Sequence, residues 1–213
     1  MIKKTCIAFA LAFGLASHAL MAQETLAIEK QYAKEIEKLT KTKQVKTAFE
    51  FIKAQKDQTT ADLITLTEVL APPFMEDEKG KVFAKMLEEA GVDSIWTDKA
   101  GNVIGLRKGT SGESGYVGVD AHLDVVFPEG TDVTVQKVGD TLKAPGIGDD
   151  TRALAMLISM LKAMNKADIK TGKDVLIVGS VGEEGLGDLR RDGAIRLDEG
   201  VQMVRRRPRP KDL

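Results

Sequence analysis

The sequence predicts an α/β fold in which a sheet is covered by helices on both faces. Short apolar runs, typical of strands, alternate with longer segments whose apolar residues recur at helical spacing. The composition agrees, because 43% hydrophobic and 30% charged residues with a net charge of −1 indicate a globular protein and exclude disordered and collagen-like classes. A length of 213 residues suits one domain, or one domain and part of another.

The first half of the chain is predicted to be mostly helical. Residues 24–57 place apolar side chains at helical spacing and carry Lys and Glu between them. A second helix is expected near residues 58–70, where a following Pro-Pro pair prevents its continuation. A third amphipathic helix over residues 75–90 is closed by Gly91.

The second half supplies the predicted strands and one more helix. The helix covers residues 151–164, where small and apolar side chains dominate. The run from Tyr116 to Asp120 is interpreted as a buried strand that leads into His122, because its residues are mainly apolar. The predicted strands cover residues 93–98, 102–107, 116–120, 133–138, 141–144 and 175–180.

Residues 1–22 are interpreted as a cleaved export signal. Two lysines precede an apolar run from Cys6 to Ala16, which is shorter than the roughly 20 residues that span a bilayer. Cleavage is expected after Ala22, with Ala19 as the other candidate position, which gives a periplasmic or secreted protein without a stable membrane anchor. An uncleaved anchor helix is the alternative. The mature chain would then hold no Cys and a single His, His122, which excludes a disulfide scaffold and any Cys-based metal site.

Residues 190–213 differ in composition from the body of the chain. Before residue 190 there are 21 Lys and 2 Arg, whereas the last 24 residues hold 7 Arg and 1 Lys. We interpret this segment as a divergent tail outside the fold, for example after a frameshift. A basic arm for nucleic acid or anionic lipid is the alternative, but the segment contains no aromatic residue, so no nucleic-acid partner is expected.

Three clusters of polar residues each follow a predicted strand. His122 and Asp124 lie two positions apart, so on an extended backbone they share a face, where a carboxylate can orient the imidazole. Asp149 and Asp150 follow a glycine-rich turn directly before a helix. Glu183 and Glu184 follow the last strand, and such a pair can divide metal binding and proton transfer between its members.

Each cluster has a simpler explanation when taken alone. A lone His is often a packed or surface residue, Asp150 can cap the helix that follows it, and two adjacent Glu often lie in a solvated turn. Their order and their positions after strands favour a common site, since ligand sites in open α/β sheets lie at the carboxyl ends of strands.

These clusters resemble those of the M20 metallopeptidases, a family that includes peptidase T, aminoacylases, carnosinase-like dipeptidases and acetylornithine deacetylase. The resemblance covers residues 25–189 and is best over 116–189; residues 70–74 and 97–103 are also similar to stretches of that family. It implies a three-layer mixed sheet flanked by helices, with residues 23–189 as the N-terminal part of a zinc-peptidase-like catalytic domain that is incomplete at its C-terminus.

The resemblance also implies a role for each site residue. His122 would bind one zinc ion and Asp124 would orient it. Asp149 would bridge two zinc ions, with a cis peptide bond to Asp150. Glu184 would bind the second ion. By the same resemblance, Glu183 would be the general base. The mixed donor set suits Zn²⁺, with Co²⁺ or Mn²⁺ as alternatives.

The implied function is hydrolysis of amide bonds in small peptides or N-acyl amino acids, and a full-length form could be a homodimer. The family uses two further ligands, an Asp that would fall near Arg207 and a distal His after a lid domain, and no His follows His122 here. The alternative is therefore a truncated, inactive fragment of such an enzyme.

Overall fold

The computed structural model describes residues 30–112 and 114–184. The chain divides into two units, residues 1–42 and 43–213. The expectations for residues 1–22 and 190–213 lie outside the described residues. No helix within the described ranges is long and apolar enough to cross a membrane.

The first half of the chain contains shorter helices than the sequence predicts. The stretch expected to be helical from 24 to 57 contains two helices, α1 (Lys30–Thr40) and α2 (Lys43–Ala54), with a turn between them. The hydroxyls of Thr40 and Thr42 donate to the Glu37 and Leu39 carbonyls, and such local bonds compete with continued helix. The other two helices of this half are α3 (Lys56–Thr67) and α4 (Asp77–Ala90), and α4 ends at Gly91 with a left-handed φ of 85°, as predicted.

The second unit contains a mixed four-stranded sheet and a two-stranded hairpin. The bounds are β1 (Ser94–Thr97), β2 (Val103–Arg107), β3 (Tyr116–His122), β4 (Gln136–Val138), β5 (Thr141–Lys143) and β6 (Asp174–Ser180), with α5 (Arg152–Lys166) before β6. The sheet order is β1-β2-β6-β3, and β4 pairs with β5. Strands β1, β2 and β6 pair antiparallel, whereas β3 and β6 are parallel. This mixed sheet with flanking helices confirms the predicted fold class.

The main core lies between this sheet and the helices α3, α4 and α5. It is formed by Leu66, Phe83, Leu87, Val103, Ala121, Leu123, Leu154, Ile158, Leu161 and Ile177, all buried. Alternate residues of β2 and β6 point to the other face of the sheet, where Ile104, Leu106, Leu176 and Val178 form a second buried cluster.

The prediction that β3 begins as a buried strand is wrong. Tyr116 and Val117 are exposed, and burial is complete only at Ala121 and His122. β3 lies at the end of the described sheet order, so its first residues have a neighbouring strand on one side alone. Of its last residues, Ala121 is buried in the main core and His122 is buried beside Asp124 and Asp149.

Candidate metal centre

The candidate site lies at the carboxyl ends of the parallel pair β3 and β6. His122 is the last residue of β3 and faces Ser180, the last residue of β6, in the strand register. Leu123 extends the pairing by donating its N–H to the Ser180 carbonyl at 2.7 Å. The loop after β6 therefore begins beside the imidazole, as the sequence predicts for strands that run in the same direction.

The glycine turn before Asp149 brings this residue to the same edge. The turn follows β5, which belongs to the hairpin rather than to the main sheet. The edge of the main sheet therefore does not by itself determine the position of Asp149. Gly146 has a φ of 72°, and a Cβ there would lie 2.4 Å from a methyl group of Val125. Only glycine permits this close approach. The peptide bond between Asp149 and Asp150 is cis, as the family resemblance implies.

His122 is oriented by a backbone carbonyl as well as by the predicted carboxylate. Its Nδ1 lies 2.9 Å from the Asp124 carbonyl oxygen and 3.6 Å from the Asp124 Oδ1. A carbonyl oxygen can only accept, so Nδ1 carries the proton and Nε2 is the nitrogen available as a ligand. Nε2 faces the Asp149 Oδ1 at 3.2 Å.

These contacts set the proton affinity of the imidazole. Burial lowers the pKa of His122, but hydrogen bonds and the negative charge of Asp124, together with Asp149, outweigh burial and raise the pKa to about 9. In the absence of a metal the ring is therefore cationic at neutral pH. A cation bound at Nε2 would take the place of that proton.

Asp124 is fully buried and does more than orient the ring. Its Oδ1 accepts the Glu183 N–H at 3.1 Å and its Oδ2 accepts the Glu184 N–H at 2.7 Å. Burial raises the pKa of Asp124, but these bonds and His122 outweigh it and hold the pKa below its usual value. One ionised carboxylate thus connects the His122 strand end with the loop that carries both glutamates.

His122, Asp149 and Glu184 form a group that could hold a metal ion. One ligand atom from each residue lies within 4.8 Å of the others. Two ligands on one zinc ion lie about 3.4 Å apart when each is about 2.1 Å from the metal. The three ligand atoms would therefore have to move only a short distance towards one another to share one ion. Burial, followed by repulsion from Asp149, raises the pKa of Glu184, and a bound cation would relieve that repulsion.

Glu183 lies beside this group with its side chain exposed to solvent. Its backbone is fixed by Asp124, while its carboxylate is left for other contacts. All five residues predicted for the site therefore lie at the end of β3 or on adjoining loops at one edge of the sheet: His122, Asp124, Asp149, Glu183 and Glu184.

Two buried charged residues of α4 belong to the same region and were missed from the sequence. Glu76 precedes the first turn of α4, and its Oε1 accepts the N–H groups of Phe74 at 3.0 Å and Gly182 at 3.2 Å. Lys79 is 1% exposed, and its Nζ lies 3.5 Å from the Thr151 hydroxyl, just after the cis peptide. A signal was present, because Lys79 precedes Phe83 and Leu87 at four-residue intervals and so falls on the apolar stripe of its helix.

Burial dominates the ionisation of both residues. It raises the pKa of Glu76, although three backbone N–H groups oppose the shift. It lowers the pKa of Lys79 to about 8, although the negative charge of Asp124 opposes it. Both groups are thus held close to the loops of the candidate metal centre in an environment that disfavours charge.

Comparisons with known proteins agree with the resemblance found in the sequence. Residues 118–211 match the model of peptidase family M20/M25/M40. A curated LysW-lysine/LysW-ornithine hydrolase of Pyrococcus abyssi is 34% identical over 130 residues, which are 61% of this chain and 34% of that protein. The chain therefore spans about a third of the length of this relative.

Solved structures confirm the fold. The di-peptidase Dug1p of Saccharomyces cerevisiae matches 70% of this chain and 36% of its own, with 18% identity and a TM-score of 0.57. Aminopeptidase PepT of Bacillus cereus matches 61% of this chain and 37% of its own, with 21% identity and a TM-score of 0.53. The match of residues 118–211 confirms the predicted resemblance to the M20 family, and these structures confirm the predicted fold.

Proposed function

Starting from the M20-type sequence of residues 118–211, we propose that this protein is a metal-dependent hydrolase of amide bonds in small peptides or N-acyl amino acids. The single observation that carries the proposal is the convergence of His122, Asp149 and Glu184, whose ligand atoms lie within 4.8 Å of one another. Relatives named as a hydrolase, an aminopeptidase and a di-peptidase support this reaction class.

The donor set fits a borderline divalent ion such as Zn²⁺, with Co²⁺ or Mn²⁺ as alternatives. The imidazole offers Nε2 because its Nδ1–H is already bonded to the Asp124 carbonyl. Asp149 lies next to Nε2 and is exposed, so its two oxygens can serve two ions at once. His122 with Asp149, and Asp149 with Glu184, would then hold one ion each, or all three residues would hold a single ion.

The residues around these ligands suit amide hydrolysis. A bound divalent ion would lower the pKa of a water molecule and polarise the scissile carbonyl. Glu183, exposed beside these ligands, would accept a proton from the attacking water and deliver it to the departing amine. Asp124 holds the main chain of Glu183, so the base would keep its position relative to His122 throughout.

Metal content and hydrolysis together test the proposal. We expect tightly bound zinc in the purified protein, cleavage of dipeptides or N-acetyl amino acids, and loss of zinc in His122→Ala. Plasma mass spectrometry gives the stoichiometry, and about two ions per chain would match the shared role of Asp149. Wild-type zinc content in His122→Ala would contradict the ligand assignment, and a folded protein that binds no zinc would favour the inactive-fragment alternative.

Glu183→Gln separates the base from the ligands. Because Glu183 is proposed to move protons rather than to bind the ion, we expect the variant to retain zinc and to lose hydrolysis by about 100-fold or more. Glu129→Gln, at an exposed carboxylate in a surface loop, is the matched control and should behave as wild type. Wild-type turnover by Glu183→Gln would assign the base to another residue.

We also propose that the protein is exported and that the signal is removed after Ala22. The supporting observation is the charged start and short apolar run of residues 1–22. Cell fractionation with N-terminal mass analysis should find a periplasmic or secreted chain that begins at Gln23. An intact N-terminus at Met1 in the membrane fraction would instead indicate an anchor helix.

A further inference from the structure

The loop that follows β6 has an unusual set of hydrogen bonds. Its four consecutive N–H groups, from Val181 to Glu184, each donate to a side-chain oxygen of a buried residue. The Val181 N–H donates to Asn102 at 3.0 Å and the Gly182 N–H to Glu76 at 3.2 Å. The next two donate to Asp124, so no carbonyl group of a neighbouring strand serves these four amides.

The three acceptors come from distant parts of the chain. Glu76 lies at the start of α4, Asn102 lies just before β2, and Asp124 follows β3; all three are buried. Asn102 is itself fixed, because its Nδ2 donates to the Asp98 carboxylate at 2.8 Å. The path of the 181–184 loop is therefore set by side chains rather than by regular secondary structure.

Glu76 connects this loop with a second segment. The same Oε1 that accepts the Gly182 N–H also accepts the N–H of Phe74, which has a left-handed φ of 71°. This conformation is unfavourable for a residue with a side chain, so the surrounding contacts must hold it. Lys79, on α4, contacts the hydroxyl of Thr151, which follows Asp149 by two residues.

We propose that Glu76 and Asn102 are positioning residues, which fix the 181–184 loop so that Glu183 and Glu184 meet His122 and Asp149 at the correct distance. The inference rests on the proposed function, since it assumes that these glutamates act on a bound metal and its water. The side-chain oxygens of Glu76 and Asn102 supply the acceptors that these loop amides would otherwise lack. Groups that hold metal ligands in place typically change metal affinity by about 10–100-fold when they are removed.

The test uses the full chain and two readouts. We expect Glu76→Ala to speed hydrogen exchange at the Gly182 amide by about tenfold or more and to weaken zinc binding, measured against a chromophoric chelator, by about tenfold. Glu76→Gln should be intermediate in both, because its amide oxygen still accepts. Asn102→Ala should speed exchange at Val181. Glu78→Gln, at an exposed residue of the same helix, is the control and should change neither readout.

Two outcomes overturn the proposal. The first is Glu76→Ala with wild-type exchange at Gly182 and wild-type zinc affinity. The second concerns a Glu76→Ala variant that also loses protection from hydrogen exchange throughout α5, and in that case Glu76→Gln is the deciding variant. If α5 is intact in Glu76→Gln, unchanged exchange at Gly182 refutes the positioning role and faster exchange supports it. Absence of zinc binding by the wild-type chain would refute the proposed function, while the exchange readout would still test the support of the loop.

Discussion

At the scale of single residues, the buried charge of Lys79 is expected to affect stability. Its side chain is 1% exposed, and burial lowers its pKa from 10.5 to about 8. Each unit of such a shift corresponds to about 1.4 kcal/mol, so the buried ammonium group opposes folding by about 3 kcal/mol at neutral pH. The negative charge of Asp124 offsets part of the penalty of burial.

The pH dependence of stability tests this interpretation. Between about pH 8 and pH 10.5 the unfolded chain holds a proton on Lys79 that the folded chain lacks, so the contribution of Lys79 to the free energy of unfolding rises with pH by up to about 1.4 kcal/mol per unit. Below about pH 8 both states are protonated and this contribution is flat. We expect denaturant titrations of Lys79→Met to lack this rise. Lys85→Met, at an exposed lysine of the same helix, should retain it, and parallel profiles for wild type and Lys79→Met would refute the assignment.

At the scale of secondary-structure elements, α4 packs on β2 and β6 at two positions where the strands carry glycine. A Cβ on Gly179 would lie 2.8 Å from a ring carbon of Phe83, and one on Gly105 would lie 3.2 Å from a methyl group of Leu87. The helix therefore approaches the sheet more closely than strands with side chains at these positions would allow. This approach lets Glu76, at the start of α4, reach the loop after β6.

A single methyl group at this contact should be destabilising. Phe83 and Leu123 are buried and cannot move away from a Cβ at Gly179 without disturbing the core. We expect Gly179→Ala to lower the free energy of unfolding by about 1–3 kcal/mol in urea titrations. Gly148→Ala, where no atom lies within 4 Å of the added Cβ, is the control for stability. Equal losses of unfolding free energy in the two variants would show that the contact between the added Cβ and Phe83 is not the cause.

At the scale of the whole molecule, the sequence predicted what is local and missed what depends on distant neighbours. Most strand positions, the end of α4 at Gly91 and the convergence of His122, Asp149 and Glu184 follow from periodicity, from glycine geometry and from polar residues after strands. The predicted strand 133–138 is shorter in the structure, where it covers only Gln136–Val138. Glu76 was missed because a glutamate among charged residues at a helix start is typical of a solvated turn. Its burial arises only when the loop after β6, more than 100 residues away, packs against it.

The exposure at the start of β3 was also missed because it depends on residues that are distant in the sequence. The apolar residues at its start predicted a buried strand. Whether a strand is buried depends on whether it lies at the end of the sheet, and the strand order is determined by pairing between residues far apart in the sequence. Within residues 30–112 and 114–184, β3 pairs with β6 and with no other strand. Tyr116 and Val117 therefore lie on a strand whose outer N–H and C=O groups have no ladder partner in this part of the structure.

Such an edge should promote association between copies of the chain, since unpaired strand edges recruit further strands. Val117 is 50% exposed at this edge. We expect sedimentation velocity to show concentration-dependent oligomers for the wild-type chain, and Val117→Lys to shift them towards monomer because a buried intermolecular strand pair disfavours an added charge. Met156→Lys, at a 59% exposed residue on α5, adds the same charge away from the edge and should sediment as wild type. If both variants dissociate the oligomers equally, net charge rather than the edge of β3 controls the association.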